Sequence, residues 1–305
     1  MTFRFRLRGY GPLLLGAVLM ATPIACSAGE VGELAASEAP ATAVNPTVPA
    51  ALSTIEAAEF QTLVAADVVY LGERHDSEVD HAAQLTIIEG LYAADPDMAI
   101  ALEMFQRPFQ PVIDRYLAGE LSEAELVEQT EYLERWGFPW EFYAPFLRFA
   151  RDHELPVLAL NAPSEISRQV AREGLESLEE DDFRYIPPVS EIDTSNDDYR
   201  EFVAAAFGSH DGHGNFNFDN FFAAQVTWDE TMALTIAEFK TSNPDTQVVV
   251  LAGNGHVIYG HGIPDRVARR LGDDLTQQIV LLNPADFLTE ASEAEAIADF
   301  FWYSE

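Results

Sequence analysis

Five short apolar runs set the strongest constraint on how this chain folds. They are DVVYLGE (67–73), MAIALEM (98–104), PVLALNA (156–162), TQVVVLAGN (246–254) and QQIVLLN (277–283). Each has the length of a strand and is apolar almost throughout, without the alternation of a half-solvated sheet. That pattern belongs to strands buried on both faces under covering helices. Helical patterns fall between the runs, at 80–94, 140–153, 218–242 and 263–271. The last carries Pro264 in its first turn, where a missing N–H is harmless. Strands alternating with helices predict one α/β domain over 51–305, a mostly parallel central sheet flanked by helices. The stretch 103–140 is expected to be mainly helical. Residues 176–217 are acidic, broken by Pro187-Pro188, and then rich in Gly, His and Phe. They are expected to form an inserted helical cap.

The N-terminus has the composition of a targeting segment. Arg4, Arg6 and Arg8 precede the apolar run 12–25, which is short for a bilayer span and ends at Cys26, the only cysteine. Residues 1–25 are expected to be a signal peptide. Lipidation of Cys26 would anchor the chain to the cell envelope through an N-terminal lipid and account for a lone thiol in an exported protein. The competing readings are a plain cleaved signal and a short membrane anchor. Residues 26–50, rich in Ala, Pro, Glu and Thr, lack an apolar period and fit a flexible tether. The net charge of −34, with one lysine (Lys240) against sixteen arginines, sets nucleic acid aside as a partner. The 48% apolar fraction is enough for a sizeable core.

In parallel α/β sheets, ligands sit outside the carboxyl ends of the strands. The first run ends in Gly72-Glu73-Arg74-His75, the second contains Glu103, and the fourth ends in Gly253-Asn254-Gly255-His256. The glycines are expected to permit tight turns. Two imidazoles and a carboxylate are a good donor set for a divalent transition metal that activates water. A lone histidine at a strand end is more often a hydrogen-bonding residue. Glu103, inside an apolar run, needs a partner because a buried charge is costly alone. On the long helix, Gln225, Asp229 and Met232 share a face beside Trp228, so Asp229 and Gln225 are candidates to orient a ligand histidine. The alternative for Asp229 is a solvated carboxylate. His210 and His213 lie in a loop that is either an accessory site or simply polar. His81 is expected to begin a helix face, and His153 to end a helix.

The segments YLGERHD, ALEMFQRP, WEFYAPFLRFA, LALNAP, AAQVTWDETMA and LAGNGHVIYGHGIPDRV, in that order from about 55 to 285, together resemble the ChaN family of bacterial haem-binding lipoproteins. That family is similar to the wider Tiki, TraB and erythromycin-esterase superfamily. The wider resemblance implies a metal-dependent hydrolase. His75, Glu103 and His256 would hold a divalent metal, with Glu73 as catalytic base. The ChaN resemblance implies instead a haem carrier of iron acquisition, a homodimer with two stacked haems, and a tyrosine iron ligand assisted by histidine. Tyr143 and Tyr259 are the candidate ligands, with His261 near the second. Tyr143 is equally well a core aromatic.

Haem propionates need cations, and Arg74, Arg107 and Arg266 fall in or beside the family-like segments. Trp136, Phe138, Trp140, Phe216, Phe218, Phe221 and Phe222 would supply flat walls, or serve as ordinary packing. Haem binding at the strand ends is the leading expectation. A metal-dependent hydrolase and a non-catalytic interaction protein are the alternatives.

Overall fold

The computed structural model describes residues 57–208, 217–272, 274–284 and 296–304. The signal peptide, tether and Cys26, with His210, His213 and Phe216, lie outside the described residues. In chain order the elements are α1 (Ala57–Val64), β1 (Val68–Glu73), α2 (Glu78–Ala94), β2 (Met98–Gln106), α3 (Gln110–Leu117), α4 (Glu123–Gln129), α5 (Tyr132–Arg135), α6 (Trp140–Asp152), β3 (Val157–Asn161) and α7 (Ser164–Glu173). There follow α8 (Asp197–Gly208), α9 (Phe218–Ser242), β4 (Gln247–Gly253), α10 (Ile263–Leu271), β5 (Gln277–Leu282) and β6 (Phe300–Trp302).

All six strands are parallel, in the order β3-β2-β4-β1-β5-β6. The five apolar runs became β1 to β5. β2 runs on to Gln106, two residues beyond its apolar run, so the strand reaches into the stretch 103–140 that was expected to be mainly helical. Three-residue β6 adds to β5 at the edge and was not expected.

The period of two in a strand divides the sheet's side chains into two layers. Val69 and Leu71 of β1 and Val249 and Leu251 of β4 pack with Ile87, Ile88, Tyr143 and Leu147 of α2 and α6. Val68, Tyr70, Val248 and Val250 face the other way, with Met232 and Ile236 of α9 and Val267 of α10. Each fully buried aliphatic side chain contributes roughly 1.5–3 kcal/mol, so both layers hold the strands and no polar face is left over.

The central neighbours β1 and β4 send the chain in opposite directions. From β1 it travels through α2 to β2, and from β4 through α10 to β5. Such a divergence opens a crevice at the carboxyl ends of the two strands. Glu73 and Gly253 are paired in register at that point.

The segment expected to be a cap contains, in its described part, short 3-10 turns at 175–177, 182–184 and 189–191 and the helix α8. Ile192, Tyr199 and Val203 pack there against Phe222 and Val226 of α9. Among the described residues, no helix is long and apolar enough to cross a membrane.

Gly72 and Gly253 are needed for space, not for unusual backbone angles, since neither has a positive φ. A Cβ on Gly72 would lie 2.6 Å from Asn254 Oδ1, 2.8 Å from Leu281 Cδ2 and 2.9 Å from Val257 Cγ2. One on Gly253 would lie 2.7 Å from His75 Nε2. Gly72→Ala is therefore expected to destabilise the fold by about 1–3 kcal/mol through overpacking. A shift of the urea midpoint at constant m-value checks this; an unchanged midpoint would contradict the packing.

Candidate functional site

The carboxyl end of β1 builds one half of the site. Ser77 caps α2 by accepting from Asp80 N–H, and Asp80 Oδ2 accepts from the Arg74 backbone N–H at 3.0 Å, which folds the turn 74–80 back over the strand. Glu73 is almost wholly buried, and both its oxygens are occupied. Oε1 accepts from His75 Nδ1–H at 2.9 Å and from the Tyr143 hydroxyl at 2.6 Å. Oε2 accepts from Gln84 Nε2 at 2.7 Å, with His81 Nδ1 at 3.4 Å. The His75 ring stands edge-on to Trp136 at a centroid distance of 4.8 Å and lies 5.2 Å from Phe138. Its Nε2 is thereby turned toward Glu103, 4.0 Å away.

The ends of β2 and β4 build the other half. Glu103 Oε2 accepts from the Gly253 backbone N–H at 2.7 Å, and Oε1 lies 3.4 Å from His256 Nε2. His256 sits on the 3-10 turn after β4, and its Nδ1–H donates to Asp229 Oδ1 at 2.6 Å. The second Asp229 oxygen accepts from the Tyr199 hydroxyl at 2.8 Å. Gln225 Nε2 donates to that hydroxyl at 3.2 Å and lies equally close to His256 Nδ1. The halves match: a tyrosine holds a carboxylate, the carboxylate holds an imidazole, and both imidazoles present Nε2 to Glu103.

Glu73, Glu103 and Asp229 are all buried, and among the described residues their ion pairs are all with histidine. Burial opposes charge on every one of these groups. In Glu73 the hydrogen bonds from His75 and His81 outweigh it and hold the carboxyl far below the usual range. In Glu103 the charges of His256 and His75 outweigh burial and lower the carboxyl. His75 is raised by Glu103 and Glu73 against its own burial. His256, facing Glu103 and Asp229, is pushed up to about 10. His81 is raised by Glu73, and its Nε2 meets the His75 carbonyl at 3.2 Å, so both ring nitrogens face acceptors. Each of the three imidazoles is thus shifted toward its charged form by the carboxylates it faces.

The structure thus gathers Glu73, His75, Glu103, His256, Asp229 and Gln225 in one buried cluster. Asp229 is fully buried, which removes the reading of it as a solvated carboxylate. Three sequence expectations need correction, and for Tyr143 the core-aromatic alternative is the one that fits. Glu73 is fully engaged and held ionised, so it orients His75 and is a poor base, because a general base works best with a pKa near the operating pH. Tyr143 is completely buried with its hydroxyl donated to Glu73 and its ionisation strongly opposed, so it is a core aromatic that also positions the site. Arg266 is 3% exposed and donates to the carbonyls of Gly262 and Asp193 beside Glu230. Arg107 pairs with Glu238 at 2.8 Å. Both guanidiniums are already engaged by these partners.

Arg74 keeps half its side chain exposed at the rim, next to Asp80. Tyr259 and His261 are half-buried and stacked at 5.5 Å on the turns that follow His256. His81 and Tyr199 were missed as site residues. The helix pattern after β1 showed His81 without its partner, and the acidic stretch around Tyr199 gave no hint of Asp229.

Three comparisons place the chain among known proteins. Residues 60–267 match the model of the family described as haem-binding uptake, Tiki superfamily, ChaN. The structure of ChaN of Campylobacter jejuni, described as showing cofacial haem binding, is similar with a TM-score of 0.58 and 19% identity, covering 78% of this chain and 88% of that one. The Arabidopsis thaliana protein RETICULATA-RELATED 5, chloroplastic, is 28% identical over 271 residues, or 80% of this chain. The chain spans 35% of the length of that relative. The Campylobacter likeness shows the α/β fold.

The raised imidazoles fix the sign of a pH dependence. His256 in the fold, at about 10, lies above the ~6.5 of an unfolded chain. Its proton stabilises the fold fully below about pH 6.5, and that contribution is lost as pH rises toward about 10. His75 and His81 shift in the same direction. The unfolding free energy of the ligand-free protein is expected to fall by on the order of 2 kcal/mol between about pH 7 and about pH 9, and less steeply in Asp229→Asn. Denaturant titrations across that range check it; a flat profile would contradict the charge assignment.

Proposed function

The chain belongs to the haem-binding ChaN family of the Tiki superfamily, and on that premise we propose that it binds haem at the carboxyl ends of the strands, with Tyr259 and His261 on the iron side. The observation that carries this reading is the backbone at Tyr259, which is left-handed at φ 59° and ψ 5°. A bulky residue rarely adopts that conformation, and such strain collects at ligand sites. Here it is held by the Tyr259 N–H donating to the Ile297 carbonyl at 2.9 Å. The turn places Tyr259 over His261 and edge-on to Phe202, at 6.2 Å.

The donor set suits haem: a phenol and an imidazole side by side, an aromatic wall from Phe202, and the exposed guanidinium of Arg74 for a propionate. The finer reading is a haem-carrying lipoprotein of iron acquisition, anchored to the cell envelope through a lipid on Cys26. It is supported by the sequence of residues 4–27. A homodimer is supported only by the resemblance to ChaN.

The test is a haemin titration of site variants followed by visible absorbance. Tyr259→Phe is expected to weaken haemin binding at least ~10-fold and to remove any phenolate charge-transfer band. Tyr143→Phe is expected to keep haemin affinity but to lower stability by about 1–3 kcal/mol, because buried Glu73 loses a donor. Loss of binding in Tyr143→Phe with full binding in Tyr259→Phe would reverse the assignment.

A second reading, a metal-dependent hydrolase, is favoured by the convergence of His75 Nε2 and His256 Nε2 on one oxygen of Glu103, at 4.0 and 3.4 Å. These three residues would hold a divalent transition metal, which would take the place of the two imidazole protons and leave the local charge unchanged. Among the described residues, no group of three such side chains is already set to hold a metal, so binding would require the rings to close on Glu103. Metal analysis of the protein after zinc exposure tests this. About one zinc per chain, lost in both His75→Ala and His256→Ala, would support the hydrolase. No zinc retained by the wild type would exclude zinc as its metal.

A further inference from the structure

The two halves of the buried cluster are alike in chemistry but differ in what carries them. Tyr143, which holds Glu73, belongs to α6 in the main helical layer. Tyr199, which holds Asp229, belongs to α8 in the segment that crosses over α9. Tyr199 is completely buried, and burial together with the Asp229 charge keeps its hydroxyl a neutral donor. Its ring packs on Phe222 at 5.7 Å and faces His261 at 6.1 Å.

The same segment is fastened to α9 a second time, at the very next residue. Glu230, also fully buried, accepts from the Asp193 backbone N–H at 3.2 Å. Arg266, Arg269 and Arg270 of α10 surround its carboxylate. All three also reach the segment itself: Arg269 bonds the Glu191 carbonyl at 3.2 Å, Arg270 the Glu191 carboxylate at 2.7 Å, and Arg266 the Asp193 carbonyl at 3.3 Å. Successive acids of α9 therefore bind the segment on two sides. Glu230 holds its backbone, and Asp229 holds Tyr199 with one oxygen and His256 with the other.

We propose that Tyr199 is a positioning residue for His256, acting through Asp229, so that docking of α8 and the orientation of His256 form one equilibrium. Two features carry the argument. Asp229 has two oxygens and divides them between the crossing segment and the site. The Tyr199 hydroxyl also lies 3.3 Å from the carbonyl of Gly255, the residue before His256. Removal of that hydroxyl would leave Asp229 Oδ2 buried without its donor, free to turn and carry Oδ1 away from the imidazole. A charge-assisted hydrogen bond in a buried setting is strong enough to couple the two events about tenfold. The functional consequence, that ligand at His256 tightens α8, rests on the haem or metal reading; the coupling itself does not.

The test uses the ligand-free full chain. The Nδ1–H of His256, in a short bond to Asp229, is expected to give a downfield proton resonance that is absent in Asp229→Asn. In Tyr199→Phe that resonance is expected to broaden away through exchange with water, and the protection of α8 amides from hydrogen exchange to fall ~10-fold. The double variant should lose no more protection than either single one. Melting curves establish that each variant is folded, and Tyr199→His, which keeps a donor, serves as a second variant if Tyr199→Phe unfolds.

A resonance that survives in Tyr199→Phe while α8 loosens would overturn the positioning role. A lost resonance with unchanged α8 protection would overturn the coupling. Additive losses in the double variant would overturn both. Failure of the wild type to bind haemin or zinc would count against the proposed function alone.

Discussion

Glu103 is a carboxylate in the middle of a sheet, suspended between two imidazoles whose other nitrogens are held by two further buried carboxylates. Everything else at the strand ends follows from satisfying that arrangement. A buried carboxylate without a counter-charge is not sustained at neutral pH. Among the described residues, the partners of Glu73, Glu103 and Asp229 are histidines and not the arginines that dominate the protein's other ion pairs. Histidine makes the compensation exchangeable. A proton on Nε2 can give way to another Lewis acid, whereas a guanidinium is permanent and would close the site.

The fold exists to bring these groups together from distant positions. Glu73, Glu103 and His256 come from β1, β2 and the turn after β4, which the order β2-β4-β1 makes neighbours at one end. The remaining groups come from helices on both sides of the sheet: Tyr143, His81 and Gln84 from one layer, Asp229, Gln225 and Tyr199 from the other. The site thus depends on both hydrophobic layers at once. Gly72 and Gly253 contribute by having no side chain, so that the turn after β4 and the His75 ring can pass close over the strand ends.

Much of this was legible in the sequence because parallel, doubly covered strands leave a strong mark. The five apolar runs could hardly be anything else, and an ionisable residue at the end of such a run is costly enough to stand out. That logic found Glu73, His75, Glu103 and His256, and helical periodicity found Asp229 and Gln225. It failed where identity depends on a partner. Tyr199 has Phe202 and Val203 at helical spacing, which marks a packed helix but not a bond to Asp229. Arg266 and Tyr143 carried chemically suitable groups, yet burial had already committed both. β6 was missed because three residues, FFW, are too few for a period to show.

The central claim is that the buried acids are balanced by imidazole protons when no ligand is present, with those on His75 and His256 facing Glu103. The most direct measurement is the nitrogen-15 spectrum of the histidine rings in metal-free, haem-free protein at neutral pH. The account predicts that both rings of this pair appear as doubly protonated imidazolium, and that His256 remains so until the pH approaches about 10. A neutral imidazole at either position at neutral pH would contradict it, and would require another cation to reside among Glu73, Glu103 and Asp229.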